Sequence, residues 1–176
     1  MMRPLTQMLE HGVEFDRVPC NQQGELLIDQ MEGMIRPNTK AVLMLHASNV
    51  CGTLMPVEQV GQLCKKHGLT FILDAAQTAG TFPIDMEKMN IDVLTFTGHK
   101  SLLGPQGIGG FLVSDEVAQQ MVPLVTGAAF PTRRCSRTFC RINLNPVPRT
   151  SRVSTDCTRP FPSWKGPVSK ISISMR

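Results

Sequence analysis

The run LTFTGHKSLLGPQGIGG, residues 94–110, sets Lys100 in a short polar turn between His99 and a cluster of glycines. A lysine amine that is held in place and deprotonated is suited to attack a carbonyl carbon. Most lysines are solvated surface charges, so the neighbours decide which kind this one is. Thr97 and His99 are hydrogen-bond donors that can meet an anion. Asp74 lies 26 positions earlier, at the end of the apolar run TFILD, and Gln77 follows it by three. A carboxylate at the end of a buried strand is costly unless a cation or donors face it. Two readings of Asp74 therefore stay open: a cap for a helix begun by DAAQTAG, or a partner for a protonated ring nitrogen.

The elements that must position these residues follow from hydrophobic patterning. VEFDRVP (13–19) alternates as a strand, after a helix end that stops at His11-Gly12. Residues 21–35 hold a turn and then apolar residues at helical spacing, Leu27, Met31, Met34 and Ile35. KAVLMLHA (40–47) and LTFILDA (69–75) are continuous apolar runs, as expected for strands buried on both faces of a parallel sheet. Between them, MPVEQVGQLCKKHG (55–68) carries a Val57, Val60, Leu63, Cys64 stripe and a basic ending before Gly68, which predicts a helix. IDVLTFTG (91–98) and IGGFLVS (108–114) read as further strands, and DEVAQQMVPLV (115–125) as a helix. Alternating strands and helices predict an α/β fold with a mostly parallel sheet and right-handed crossovers.

In such sheets ligands gather at the carboxyl ends of the strands. Three polar groups fall there: Asn49 after VLMLHAS, Asp74 after TFIL, and Thr97 to Lys100 after DVLTF. An acid, a later lysine and flanking donors match what pyridoxal phosphate requires: an amine for its aldehyde, an acid for its pyridine nitrogen and donors for its phosphate. GPQGIGG is no dinucleotide fingerprint, because a strand follows it where a helix should begin.

The segments IRPNTKAVLML, HASNVCGTLMPVEQV and FILDAAQTAGTFPIDMEKMNIDVLTFTGHKSLLGPQGIGGFLV resemble the class V aminotransferase group, and within it the cysteine desulfurases with their selenocysteine lyase relatives. The resemblance covers residues 1–127, with DAAQ and T-G-H-K in order and correctly spaced. It implies the central part of a fold type I large domain. It further implies a Lys100 aldimine with pyridoxal 5'-phosphate, Asp74 on the pyridinium nitrogen and Gln77 on the phenolic oxygen. Thr97 and His99 would hold the phosphate, and Asn49 would lie near the phenolic oxygen and the substrate carboxylate. The implied activity is sulfur removal from L-cysteine, with Lys100 as proton shuttle, a cysteine or selenocysteine substrate, and a homodimer.

The same resemblance implies a fragment. The phosphate loop and the ring-stacking histidine of the family would lie before Met1. Its substrate-binding arginine and mobile-loop cysteine cannot be placed after residue 127. Residues 1–130 carry 8 basic and 13 acidic side chains, whereas residues 131–176 carry 10 basic side chains and Asp156 alone. This basic, proline-rich tail, taken as residues 128–176, shows no sustained period, so it is expected to be disordered or read out of frame, with a strand hint only at its end. The six cysteines form no zinc spacing, and those of the body are expected to be reduced and ordinary. No apolar run is long enough to span a membrane, and a cytoplasmic protein is expected. Three functional readings remain: a pyridoxal-phosphate enzyme, an inactive piece of the same fold, and a module whose basic tail grips nucleic acid.

Overall fold

The computed structural model describes residues 2–121 and a strand at Lys170–Ser174. The 127/128 boundary, the rest of the tail, and Cys135, Cys140 and Cys157 lie outside the described residues. So does the last part of the helix expected through residue 125.

The chain opens with α1 (Met2–Met8) and a 3-10 turn, Leu9–His11, stopped by Gly12 in the left-handed region. Strand β1 (Glu14–Val18) and helix α2 (Ile28–Met34) follow. Next come β2 (Thr39–Leu45), α3 (Val57–His67) and β3 (Thr70–Asp74), the strand–helix–strand unit that the pattern predicts. Strands β4 (Val93–Thr97) and β5 (Gly109–Val113) lead to α4 (Asp115–Gln120), where the Ser114 hydroxyl accepts from the Val117 amide as a cap. The last strand, β6, is Lys170–Ser174, where the sequence KISIS alternates.

These strands form one six-stranded sheet in the order β1-β6-β2-β3-β4-β5. All neighbouring pairs are parallel except β4–β5, which is an antiparallel hairpin. The sheet is therefore α/β and mostly parallel. Its five parallel strands deliver their carboxyl ends to one edge.

The core lies between one face of the sheet and α3. Val42, Met44, Phe71, Leu73 and Leu94 pack with the helix stripe Val57, Val60, Leu63 and Cys64. Gly61 lets α3 come down on the backbone, because a Cβ there would sit 1.8 Å from the Met89 carbonyl oxygen. The opposite face is covered less completely. Leu43, Leu45, Ile72 and Asp74 are only half-buried, which corrects the expectation that β2 and β3 are buried on both faces. Alternation along a strand sends successive side chains to opposite faces, so the continuous apolar run hides this asymmetry.

Candidate active site

Asp74 is the last residue of β3, in register with Leu45 of β2 and Thr95 of β4. Residues in register share a face, and Thr97 lies two positions beyond Thr95, so Asp74, Thr95 and Thr97 share the less covered face. The backbone ladder runs to the edge: the Ala75 amide donates to the Thr95 carbonyl at 2.8 Å, and the His46 amide to the Asp74 carbonyl at 2.9 Å.

The carboxylate itself is half-buried and only partly engaged. Its Oδ1 accepts the Ala76 amide at 3.0 Å, and Oδ2 has no partner among the described residues. Residues 75–79 form a single turn, closed by the Thr78 and Ala79 amides on the Ala75 carbonyl, and not a helix. Asp74 thus caps a single turn, where the cap reading expected a helix, and its second oxygen is engaged by no described residue. Gln77 sits half-buried in that turn, and its side-chain amide makes no hydrogen bond among the described residues.

On the neighbouring strand, Thr97 ends β4 and the chain enters the tight turn that carries Lys100. Two backbone bonds close it: the Leu103 amide to the Lys100 carbonyl at 2.9 Å and the Gly104 amide to the Gly98 carbonyl at 2.7 Å. Leu103 adopts φ 54°, a left-handed conformation that costs about 1–2 kcal/mol for a residue with a Cβ. A Cβ at residue 104 would lie 3.1 Å from the Gly98 carbonyl oxygen, and one at residue 110 would lie 2.9 Å from the Phe96 ring. These glycines serve the turn and the β4–β5 hairpin.

Thr97 Oγ1 and His99 Nδ1 are hydrogen-bonded at 2.9 Å. With a neutral imidazole that bond consumes one of the pair's two hydrogens and leaves one donor. With an imidazolium, Nδ1–H donates to the hydroxyl, so the threonine O–H and Nε2–H both remain for an anion. His99 and Lys100 are exposed, and the Lys100 amine meets no carboxylate among the described residues. Asn49 is also exposed, in the Ser48–Thr53 loop that follows β2 at the same edge.

All six candidate residues therefore lie on the carboxyl-end loops or termini of three adjacent parallel strands. A cavity of about 450 Å³ lined by Leu26 to Gln30 and Gln59 contains none of them.

The family profile described as "Aminotransferase class-V" matches residues 3–146, most of the chain. The chain belongs to the class-V aminotransferase family. This family depends on pyridoxal phosphate. Among curated relatives, the mitochondrial cysteine desulfurase of Eremothecium gossypii is 35% identical over 120 residues, covering 68% of this chain and 24% of that protein. The apo cysteine desulfurase of Thermococcus onnurineus NA1 superimposes with a TM-score of 0.68 at 30% identity, over 73% of this chain and 32% of the other. A solved structure of SspA in complex with cysteine gives 0.56 at 39% identity, over 60% and 30%. This class-V chain spans about a quarter of the length of the curated relatives it matches.

Five residues at this edge escaped the sequence reading. His46 and Thr78 are buried and bonded, Nδ1 to Oγ1, at 2.9 Å, and Phe82 stands edge-on to the imidazole at 6.3 Å. Burial pushes His46 below the usual histidine range. The Ser101 hydroxyl donates to the Gln77 carbonyl. Cys51 corrects the expectation of ordinary thiols: the Ser48 and Thr53 hydroxyls pull it down to about 7. The nearby hydroxyls of Ser48 and Thr53 are the only sequence signal for it. Cys64, by contrast, is pushed up to about 12 by burial and by Asp92.

Proposed function

We propose that this chain carries the lysine-bearing part of a pyridoxal-phosphate site whose chemistry is sulfur removal from L-cysteine. The observation that carries it is the placement of Asp74 and of the Thr97–Lys100 turn at the carboxyl ends of adjacent parallel strands, with Asp74 in register with Thr95. The donor set fits the group: a carboxylate with an unused oxygen, a hydroxyl–imidazole pair with donors to spare, and an amine paired to no described acid. When bound, pyridoxal phosphate supplies an electron sink for charge that develops at a substrate Cα.

The residues divide the work by chemistry. Lys100 would hold the aldehyde carbon and, once released by the substrate amine, take and return a proton at Cα. Asp74 would keep the ring nitrogen protonated, since an anion facing that atom favours its charged form. Thr97 and His99 would donate to the phosphate, Gln77 to the phenolic oxygen, and Asn49 would orient the substrate carboxylate. Support for a cysteine substrate comes from the matched relatives, which are cysteine desulfurases, and from the cysteine held by SspA. A second copy of the chain is the proposed partner. Val50 and Leu103, 81% and 92% exposed on loops at this edge, are apolar surface that such a partner would cover.

A second reading, the same fold piece without turnover, is favoured by the exposure of Asn49, His99 and Lys100, which leaves water at the amine. Titrating the purified chain with pyridoxal phosphate tests the first. A visible absorbance band that Lys100→Ala removes supports it, and cysteine consumption then separates an enzyme from a binding fragment. A wild-type spectrum equal to that of Lys100→Ala contradicts the cofactor reading.

A further inference from the structure

The turn after β3 is tied sideways at two points, and neither tie belongs to the cofactor-facing set. Thr78 is the centre of that turn. Its amide donates to the Ala75 carbonyl, and its own carbonyl accepts the Thr81 and Phe82 amides. Its hydroxyl is 1% exposed with the rest of the residue and bonds His46, which is 32 positions earlier at the end of β2. One residue before it, the Gln77 carbonyl accepts the Ser101 hydroxyl, and Ser101 is the residue next to Lys100. Three strand-end segments are thereby linked in series: His46 to Thr78, Gln77 to Ser101, and Ser101 to Lys100 through the chain.

A buried hydroxyl–imidazole bond is expensive to break from one side, because the remaining group is left unsatisfied. The β3 turn cannot move relative to β2 without breaking it. The Lys100 turn likewise cannot move away from the β3 turn without releasing the Gln77 carbonyl. The backbone ladder stops at Ala75 with Thr95 on this side, so beyond that point these two side-chain bonds are the hydrogen bonds that tie the loops together among the described residues.

We propose that His46, Thr78 and Ser101 are positioning residues that fix Asp74 and Gln77 against Lys100 across the gaps between β2, β3 and β4. This inference rests on the cofactor reading above. None of the three touches the reacting atoms. They act by narrowing the range of separations between the acid and the amine, which matters because two groups must meet opposite sides of one small ring.

The test uses the full 176-residue chain in two states. Without cofactor, Thr78→Val is expected to speed amide hydrogen exchange across residues 75–82, and Ser101→Ala across residues 98–104. With pyridoxal phosphate, each variant is expected to raise the concentration needed for half of the visible band by about fivefold, the shift that one net hydrogen bond represents. Thr78→Ser and Ser101→Thr, which keep the hydroxyls, are expected to restore the wild-type midpoint. Ser101 is only half-buried, so Ser101→Ala keeps the proposal testable should Thr78→Val fold poorly. A lowered melting temperature with unchanged midpoints in both variants overturns positioning and leaves the cofactor reading standing. A midpoint shift that the hydroxyl-keeping variants do not restore overturns it as well. A wild-type chain with no band overturns the cofactor reading and this proposal together.

Discussion

Two aspartates mark the two ends of the β3–β4 pair, and they are used in opposite ways. At the amino end, Asp92 precedes β4 and its Oδ2 accepts the Phe71 amide at 2.8 Å. Its own amide donates to the Phe71 carbonyl, and its carbonyl accepts the Ser114 amide, so this one residue joins β3, β4 and the end of β5. At the carboxyl end, Asp74 holds one local amide and keeps an oxygen that no described residue engages. The contrast shows how the sheet separates construction from chemistry. Where strands begin, a carboxylate completes the ladder; where they end, the ladder is completed by backbone and the carboxylate remains available for a ligand.

The core between them sets the scale, and its disruption should give the largest effect. Phe71 is fully buried beside Asp92, so Phe71→Ala is expected to cost about 3–5 kcal/mol in urea unfolding. Next in size is the aspartate pair itself. Asp92→Ala strands a buried amide and should cost about 1–3 kcal/mol. Asp74→Ala loses one turn bond and should cost less than about 1 kcal/mol, while weakening cofactor binding. Equal losses from the two substitutions would erase the distinction drawn between the two ends.

Thiol chemistry sharpens the same contrast without touching stability. Cys51 is exposed at the carboxyl edge with its pKa lowered to about 7, whereas Cys64 is buried against β3 and raised to about 12. Alkylation followed by peptide mass spectrometry should label Cys51 at a rate that climbs as pH rises through about 7. Cys64 should stay unlabelled until the chain unfolds. Labelling of Cys64 at the rate of Cys51 in native buffer would mean that the core face is open.

The smallest expected effect lies far from either aspartate, where Glu32 of α2 meets Lys66 at 2.7 Å and His67 at 3.3 Å on α3. Those hydrogen bonds hold the Glu32 carboxyl below its usual range. A carboxyl whose folded pKa is depressed adds stability above its unfolded value and loses it as pH falls through the folded one. Glu32→Gln should therefore be slightly less stable than wild type above the ordinary carboxylate range, the gap should close as pH falls below that range, and high salt should shrink it.

Much of this arrangement was legible in the sequence, because it depends on patterns within single elements. The stripe on α3 and the apolar runs of β2, β3 and β4 specify their own structure, and the polar residues that end those runs reach the edge that the topology dictates. What was not legible depends on pairs far apart in the chain. No local pattern shows that β6 enters between β1 and β2, that Thr78 meets His46, or that Gly61 admits the Met89 backbone. The half-cover of Leu43 and Leu45 was missed for the same reason: apolar residue types do not say which face of a sheet is packed.

The central claim is that Lys100, of all the amines in the chain, is the one presented to an aldehyde. Borohydride reduction of the full chain in limiting pyridoxal phosphate, followed by peptide mass spectrometry, measures this directly. Label is expected mainly at Lys100 in wild type, and its share should fall in Asp74→Ala but not in Asp92→Ala. Label spread evenly over the seven lysines of the chain would contradict the claim.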